Sequence, residues 1–117
     1  MILFEDDYYI IVNKPPKLLV HPSKETNEKE NLMAQVRDHL GQHVYIANRV
    51  DRPVSGIVVF GKSPDPVKQI KEIWHSEKVK KKYIALARTR FIEPGIFDFD
   101  LSNEKKVPKA AKSVYTP

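Results

Sequence analysis

Residues 48–56, NRVDRPVSG, run directly into the apolar stretch IVVF at residues 57–60. We interpret the first stretch as a short turn that ends at its glycine and leads into a buried strand, an arrangement that holds side chains more rigidly than a loop does. The turn carries one acidic residue, Asp51, between Arg49 and Arg52. Guanidinium groups favour the ionised form of a neighbouring acid, so we expect these arginines to hold Asp51 as a carboxylate. Such a group in a basic protein indicates chemistry on a polyanion.

Composition and charge narrow the classes of protein to which the chain can belong. Its 117 residues carry a net charge of +5 and correspond to a single domain. Residues 1–30 hold four lysines against six acidic residues, whereas residues 31–117 hold sixteen lysines and arginines against nine acidic residues. The positive charge therefore accompanies Asp51, which is typical of a nucleic-acid-binding surface. A solvated, lysine-rich surface is the alternative interpretation.

The absence of cysteine excludes disulfides, thiolate zinc sites and a cysteine nucleophile, and it fits the reducing cytoplasm. The chain turns acidic at residues 5–7, where a signal peptide would stay apolar, so we expect no secretion signal. No apolar run in the sequence reaches the length of a membrane span. We therefore expect a cytoplasmic protein with no membrane partner.

Hydrophobic periodicity predicts an α+β fold, with a mixed, mainly antiparallel sheet and two or more flanking helices. Residues 1–4 and 8–12 are rich in β-branched and aromatic residues on either side of an acidic turn, which predicts a hairpin. Apolar residues at helical spacing predict a helix over residues 32–40, with Asn31 as N-cap and Gly41 just after its end. A second helix is predicted after Ser63 or Asp65, with an apolar face of Val67, Ile70, Ile73 and Trp74. Further strands are predicted at residues 18–20, 44–47, 57–60, 80–88, 96–101 and 113–116.

Two residues are candidates for chemistry or ligand contact. The Asp51 carboxylate can act as a nucleophile or a base, and it can equally form a structural ion pair that pins the turn. Tyr83 follows three lysines, and a ring behind a cationic run is typical of proteins in which charge holds RNA phosphate and the ring stacks on a base. A core tyrosine with its hydroxyl at the surface is the alternative.

Two histidine patterns give weaker indications. His39 and His43 have a spacing that can place two imidazoles on one metal, but Gly41 between them ends the predicted helix, so we expect no metal site. The tripeptide at residues 21–23, HPS, offers a base and a nucleophile, but sequence neighbours seldom meet with hydrolase geometry.

Four blocks of the sequence resemble the large family of pseudouridine synthases that modify uridines in ribosomal and transfer RNA. That family's central motif, His-Arg-Leu-Asp followed by two variable residues and Ser-Gly or Thr-Ser-Gly, stands here as residues 48–56. The Arg52-Pro53 pair is most similar to the branch of transfer-RNA pseudouridine synthase C. The other blocks, in the family's order, are ILFEDD and IVNKP at residues 2–7 and 11–15, LVHP at 19–22, and KYIAL at 82–86.

The resemblance implies roles for individual residues and no metal or organic cofactor. Asp51 matches the catalytic aspartate, which acts on the nucleoside while the base detaches, turns and rejoins the sugar through carbon. Arg49 matches the arginine that helps fill the gap left by the flipped nucleotide, and Tyr83 matches the tyrosine that packs on the target uracil. Unstacking a base costs roughly a few kcal/mol, which a cation and a ring can offset. We expect further RNA contacts from Arg52 to the substrate and from Lys80, Lys81 and Lys82 to phosphates.

The sequence also departs from the family's pattern. Asn48 stands where the family has histidine and Val50 where it has leucine. The family's catalytic domain is about twice this length, so we expect residues 1–117 to be the N-terminal part of a truncated domain. Its exposed sheet edges would favour pairing with a second copy. The alternatives are a non-catalytic RNA-binding module or inactive fragment of this fold, and a hydrolase that cleaves another sugar–base bond through Asp51.

Overall fold

The computed structural model describes residues 1–22, 30–102 and 108–117. Its contacts divide the chain into two compact units, Met1–Lys81 and Lys82–Pro117, which are described separately. Every strand pair among the described residues is antiparallel, and two helices accompany the strands of the first unit. The predicted α+β class, with a mainly antiparallel sheet and flanking helices, is confirmed.

The first unit contains one four-stranded sheet, formed by β1 (Ile2–Glu5), β2 (Tyr9–Lys14), β3 (Tyr45–Ile46) and β4 (Gly56–Gly61) in the order β1-β2-β4-β3. Strand β2 pairs with β4 along its whole length, and this register puts Lys14 opposite Gly56. The turn that follows β2 and the turn that precedes β4 therefore lie at the same end of the sheet. The helices of the same unit are α1 (Leu32–Leu40) and α2 (Pro64–Ile73).

The predicted N-terminal hairpin is present as β1 and β2. The Asp6 carboxylate closes its turn by accepting hydrogen bonds from the backbone N–H groups of Tyr8 (2.8 Å) and Tyr9 (2.6 Å). Short polar side chains favour such turns because they bond the backbone two or three residues further on. The register of the pair shifts between Ile2 and Phe4, a β-bulge or similar irregularity.

The core of the first unit lies between the central strands and α1. Alternate residues of β2 and β4 point to the same face, since side chains alternate along a strand. They meet Leu32 and Val36 of α1, and full burial of each such side chain is worth about 1.5–3 kcal/mol. The buried residues contributed by the two strands are Ile10, Val12, Val58 and Phe60.

Helix α1 has the predicted ends, and its N-terminus explains why a predicted strand is absent. The Asn31 Oδ1 atom accepts from the Ala34 N–H (3.0 Å), and Gly41 adopts a left-handed φ of 64°. Residues 18–20 were expected to form a strand, which was wrong. The Leu19 and Val20 carbonyls instead accept from the first N–H groups of the helix, at 2.8 and 2.9 Å. Those N–H groups have no partner within the helix, so the segment satisfies them.

Helix α2 begins after Ser63, as predicted, with Pro64 in its first position. It packs on β4 at Gly61, where a Cβ atom would collide with the Val67 side chain. Glycine at this point allows the helix to approach the sheet closely. Of the predicted apolar face, Val67 is buried, whereas Trp74 just after the helix is only half-buried.

The second unit consists of short strand pairs and an aromatic cluster. Strand β5 (Gly95–Asp98) pairs with β8 (Lys112–Tyr115), and β6 (Leu101–Ser102) pairs with β7 (Pro108–Lys109). The predicted strand at 96–101 is thus divided in two. The Phe97 and Tyr115 rings stack at 4.9 Å, and Phe91 and Phe99 contact Phe97.

The strand predicted at residues 80–88 is absent. The side chains of Ile84 and Leu86 are fully exposed, and no strand of the described chain pairs with this segment. Alternation of apolar residues indicates a strand only when a neighbour supplies the hydrogen bonds of the ladder. Residues 80–88 therefore carry the alternating pattern of a strand, but no strand among the described residues pairs with them.

Lys14 joins the two turns at the end of the sheet. Its side chain is completely buried, and its Nζ atom donates to the carbonyls of Pro15 (2.9 Å), Leu18 (2.8 Å) and Arg52 (3.2 Å). No carboxylate of the described residues pairs with it. Burial lowers the pKa of the Lys14 ammonium from its ordinary 10.5. A second link runs between Lys17 and Arg52, whose backbone N–H and carbonyl meet at 2.7 Å.

Replacing Lys14 by methionine should destabilise the chain by about 3 kcal/mol, because three carbonyls lose their buried donor while the volume is roughly kept. Urea unfolding of the wild type and Lys14→Met measures this difference. Lys78→Met is the matched control, since Lys78 is exposed and should change the free energy of unfolding by less than about 0.5 kcal/mol. Equal effects at the two positions would contradict a role for the buried ammonium.

The pH dependence of this difference has a definite sign. The lowered pKa means that the unfolded state binds more protons than the native state at pH values just below 10.5. The free energy of unfolding of the wild type should therefore rise, relative to Lys14→Met, as the pH increases from about 8 to about 10. A difference that stays constant, or that falls with pH, would contradict the lowered pKa.

Candidate active site

One cleft of the first unit, with a volume of about 780 Å³, contains the predicted catalytic segment. Its walls come from three parts of the chain: residues 19–21, residues 46–52, and Lys71 with Trp74 of the α2 region. Asp51, Arg49 and Arg52 all line it, so the structure brings these three predicted site residues together.

Asn48 determines where the chain leaves the sheet and enters the cleft wall. Its Oδ1 atom accepts from the Val59 N–H (2.8 Å), and its Nδ2 atom donates to the Ile57 carbonyl (3.1 Å). The backbone N–H of the preceding residue, Ala47, donates to the Val59 carbonyl (3.0 Å). The Asn48 amide therefore continues the pairing of β3 with β4 by one residue. This clamp fixes the start of the segment that carries Arg49 and Asp51.

The far end of the turn is fixed by its backbone. The Val54 N–H donates to the Asp51 carbonyl at 3.0 Å, which closes a tight turn. Gly56 then has a φ of 135°, a conformation that L-residues with side chains rarely adopt. Asp51 thus lies on a turn held at both ends, in accordance with the rigid platform predicted from the sequence.

The expected pairing of Asp51 with its flanking arginines is wrong. An Arg49 Nη1 atom lies 2.6 Å from His21 Nε2, and Arg52 Nε donates to the Lys17 carbonyl at 3.0 Å. Within the described ranges, no lysine, arginine or histidine nitrogen lies within 4.0 Å of the Asp51 carboxylate. Each guanidinium instead bonds a group from the segment before α1. The structural ion pair considered for Asp51 is therefore not formed, and the exposed carboxylate faces the cleft.

Three residues of the cleft were not predicted as site residues. His21 was considered only with Ser23, which lies outside the described residues, and the structure places its ring against Arg49. Lys71 of α2 and Trp74, the residue just after its end, line the cleft with Asp51. The spacing of these two residues in the sequence indicates one helical face. It gives no sign that this face lies beside residues 46–52 in the cleft, because the two segments are far apart in the chain.

The lysine run begins beside this cleft. The Lys81 Nζ atom lies 5.4 Å from the centroid of the Trp74 ring and 3.3 Å from the Trp74 carbonyl, to which it donates. Lys80 is exposed. Lys82 and Tyr83 open the second unit, and the Tyr83 side chain is 71% exposed, so it is not a core tyrosine. The stacking role of Tyr83 stays a prediction.

The described residues contain no group of three or more side chains suited to hold a metal ion. His43 lies edge-on to Tyr45 at 5.3 Å, and His39 lies 3.9 Å from a Glu5 carboxylate oxygen. Among the residues that the structure describes, no helix is long and apolar enough to cross a membrane.

The first unit is thus an α+β unit whose cleft holds several cations and a carboxylate that has no cation partner among the described residues. Comparison with known proteins gives the family. A family model described as RNA pseudouridylate synthase matches residues 8–116. The chain therefore belongs to the RNA pseudouridylate synthase family, and the resemblance found in its motifs is confirmed.

The similar proteins are longer than this chain. It is 38% identical over 104 residues to a protein of Vibrio parahaemolyticus named tRNA pseudouridine synthase C, covering 88% of the chain and 42% of that protein. It is 36% identical over 119 residues to a Yersinia pestis protein of the same name, covering 99% and 46%. A solved structure of human RNA pseudouridylate synthase domain containing 4 has the same fold, with a TM-score of 0.63, 17% identity, and coverage of 97% and 50%. The chain thus spans less than half the length of these curated relatives.

Replacing Asn48 by alanine should lower the free energy of unfolding by about 1–2 kcal/mol, because the Val59 N–H and the Ile57 carbonyl both lose their side-chain partner. Chemical denaturation measures the change. Asn13→Ala is the control, since Asn13 is an exposed asparagine of the neighbouring strand. If both variants are equally stable, the clamp does not hold the turn.

Proposed function

We propose that this protein isomerises uridine to pseudouridine in transfer RNA, with Asp51 as the catalytic carboxylate. The supporting observation is the cleft, in which a carboxylate with no cation partner among the described residues lies on a turn anchored at both ends. It shares the walls with Arg49 and Arg52. Family membership and relatives named tRNA pseudouridine synthase C favour this reaction and this RNA. Ribosomal RNA is the second substrate to be tested.

Asp51 is the group proposed to start the reaction. The bond between uracil N1 and the sugar C1′ breaks, the base turns, and a bond forms between C5 and C1′. The C5 proton leaves and N1 gains a proton, so that substrate and product are isomers. The carboxylate can attack the sugar or take a proton from it, and both routes use the same oxygen atoms. Among the described residues the Asp51 carboxylate has no cation partner, so no ion pair with them has to be broken before it takes either role.

Arg49, Arg52 and Tyr83 are proposed to hold the RNA around the reacting nucleotide. The target atom is buried in stacked RNA, so the nucleotide has to be turned out of the helix. Arg49 is the cation proposed to occupy the gap, and Tyr83 is the ring proposed to stack on the uracil. Arg52, whose backbone carbonyl is fixed by Lys14 and Lys17, is proposed to contact the substrate.

Lys80, Lys81 and Lys82 are proposed as phosphate contacts. Lys81 supports this assignment, since its ammonium lies over the Trp74 ring at the cleft. The isomerisation is proposed to use side chains alone, without a cofactor. It is proposed to take place in the cytoplasm. We further propose that residues 1–117 are the N-terminal part of a catalytic domain, since the chain covers only 42% and 46% of two curated relatives. Pairing of a second copy along an exposed sheet edge stays a proposal that gel filtration can test.

The decisive experiment compares the 117-residue chain with Asp51→Asn on transfer RNA and ribosomal RNA labelled with tritium at uracil C5. We expect tritium release from transfer RNA by the wild type, and a loss of at least about a hundredfold in Asp51→Asn, which keeps the shape but not the charge. Asp7→Asn is the control, because Asp7 is an exposed acid of the hairpin turn.

Three results would contradict the proposal in different ways. Equal release by wild type and Asp51→Asn would remove Asp51 from the chemistry. Free uracil in place of pseudouridine would indicate a hydrolase of the sugar–base bond. Salt-dependent RNA binding without product would assign this chain to a non-catalytic RNA-binding module.

The role of Lys81 can be measured through the salt dependence of tRNA binding. Removing one phosphate contact should lower the slope of log Kd against log salt by about 0.7–0.9, so Lys81→Gln should show that decrease. Lys109→Gln removes the same charge from an exposed position of β7 and should leave the slope nearly unchanged. Equal decreases in both variants would mean that the charge acts diffusely.

A further inference from the structure

Arg49 and His21 form a short polar contact in the wall of the cleft. Arg49 Nη1 and His21 Nε2 are 2.6 Å apart, and the other ring nitrogen, Nδ1, is 2.7 Å from the Pro22 carbonyl. Both residues line the cleft with Asp51. The ring thus bridges the backbone of one segment and the guanidinium of another.

The partners of the two nitrogens determine the protonation state of the ring. A guanidinium can only donate hydrogen bonds, so Nε2 must accept and carry no proton. A carbonyl can only accept, so Nδ1 must carry the proton. We therefore assign His21 to the neutral tautomer with hydrogen on Nδ1.

We propose that His21 is a positioning residue that holds Arg49 in place for RNA, and that protonation of His21 releases Arg49. The proposal rests on the proposed function, because it assigns Arg49 to the RNA. Loss of the acceptor lone pair turns the contact into two donors that face each other, and it adds a positive charge beside a guanidinium. The imidazole therefore supports Arg49 only while it is neutral.

The charged groups that line the cleft around His21 are Arg49 and Arg52 from the turn, Lys71 from α2, and one acid, Asp51. Asp51 has no cation within 4.0 Å among the described residues, so it does not form a close pair with an imidazolium there. Three cations and one acid thus line the cleft with the ring.

The expected pH dependence of tRNA affinity is opposite in sign to the one that charge alone predicts. Protonation of histidines makes a protein more positive, and by charge alone this strengthens binding to RNA. Release of Arg49 weakens it instead. A variant in which His21 is the single histidine should therefore bind tRNA less tightly at low pH than at neutral pH.

The experiment uses the full chain with His39, His43 and His75 replaced by glutamine, which leaves His21 as the one histidine. Binding of bulk bacterial tRNA is measured at about pH 7.5 and about pH 5.5 in the same salt. We expect the affinity of this reference variant to fall by roughly tenfold at the lower pH, as for the loss of one charge-assisted hydrogen bond.

Two further substitutions in the same background separate positioning from structure. His21→Gln offers an oxygen acceptor to Arg49 but does not titrate, so it should bind as tightly as the reference at pH 7.5 and keep that affinity at pH 5.5. His21→Phe keeps a ring but has no acceptor, so it should be about tenfold weaker at both pH values. An affinity of the reference that stays constant or rises at low pH would overturn the proposal, and so would full affinity of His21→Phe.

Nitrogen NMR of the reference variant tests the assignment without RNA. Its one imidazole should show a protonated Nδ1 and a bare Nε2 at pH 7.5, and a proton on Nε2 would overturn the proposal while leaving the proposed function intact. If the tautomer is as assigned and no tRNA binds, the proposed function fails, and the role of His21 toward RNA fails with it. A pH effect that glutamine removes, together with the Nδ1–H tautomer, supports both.

Discussion

A buried ammonium group is the contact on which the geometry of the cleft depends. Lys14 has no carboxylate partner among the described residues, and its charge is compensated by the carbonyls of Pro15, Leu18 and Arg52. A charge removed from water needs such partners, so the surrounding backbone must keep these oxygens in place. One of them belongs to the residue that follows Asp51. The buried charge therefore fixes the backbone of the candidate catalytic turn.

This arrangement explains how Asp51 can be positioned without being neutralised. An ion pair would hold the carboxylate directly, but it would also occupy the charge that the proposed reaction uses. Here the constraints act on the neighbours: the Asn48 amide binds β4, and the Arg52 carbonyl accepts from Lys14 and from the Lys17 N–H. A charge held in place before the substrate arrives needs little reorganisation during the reaction. Backbone anchors are therefore better suited to this site than the arginine pairs expected from the sequence.

The sequence predicted those parts of the fold that depend on local patterns. The hairpin, both helices with their N-terminal residues, and β4 follow from periodicity, capping residues and turn chemistry within a few positions. Residues 18–20 and 80–88 also carry strand-like patterns, but a strand needs a partner, and the first segment instead satisfies the N-terminus of α1. The contact of Arg49 with His21, 28 positions apart, has no local signal at all. The missed parts of the cleft are thus those set by long-range packing.

The identity of residue 48 changes which titratable side chains line the cleft. The family's motif has histidine there, and an imidazole in that place would titrate next to Arg49. In this chain an asparagine forms the clamp on β4, and its two hydrogen bonds do not depend on pH. Among the described residues that line the cleft, this leaves His21 as the one imidazole. The hold on the turn and the proposed hold on Arg49 therefore belong to different residues, Asn48 and His21.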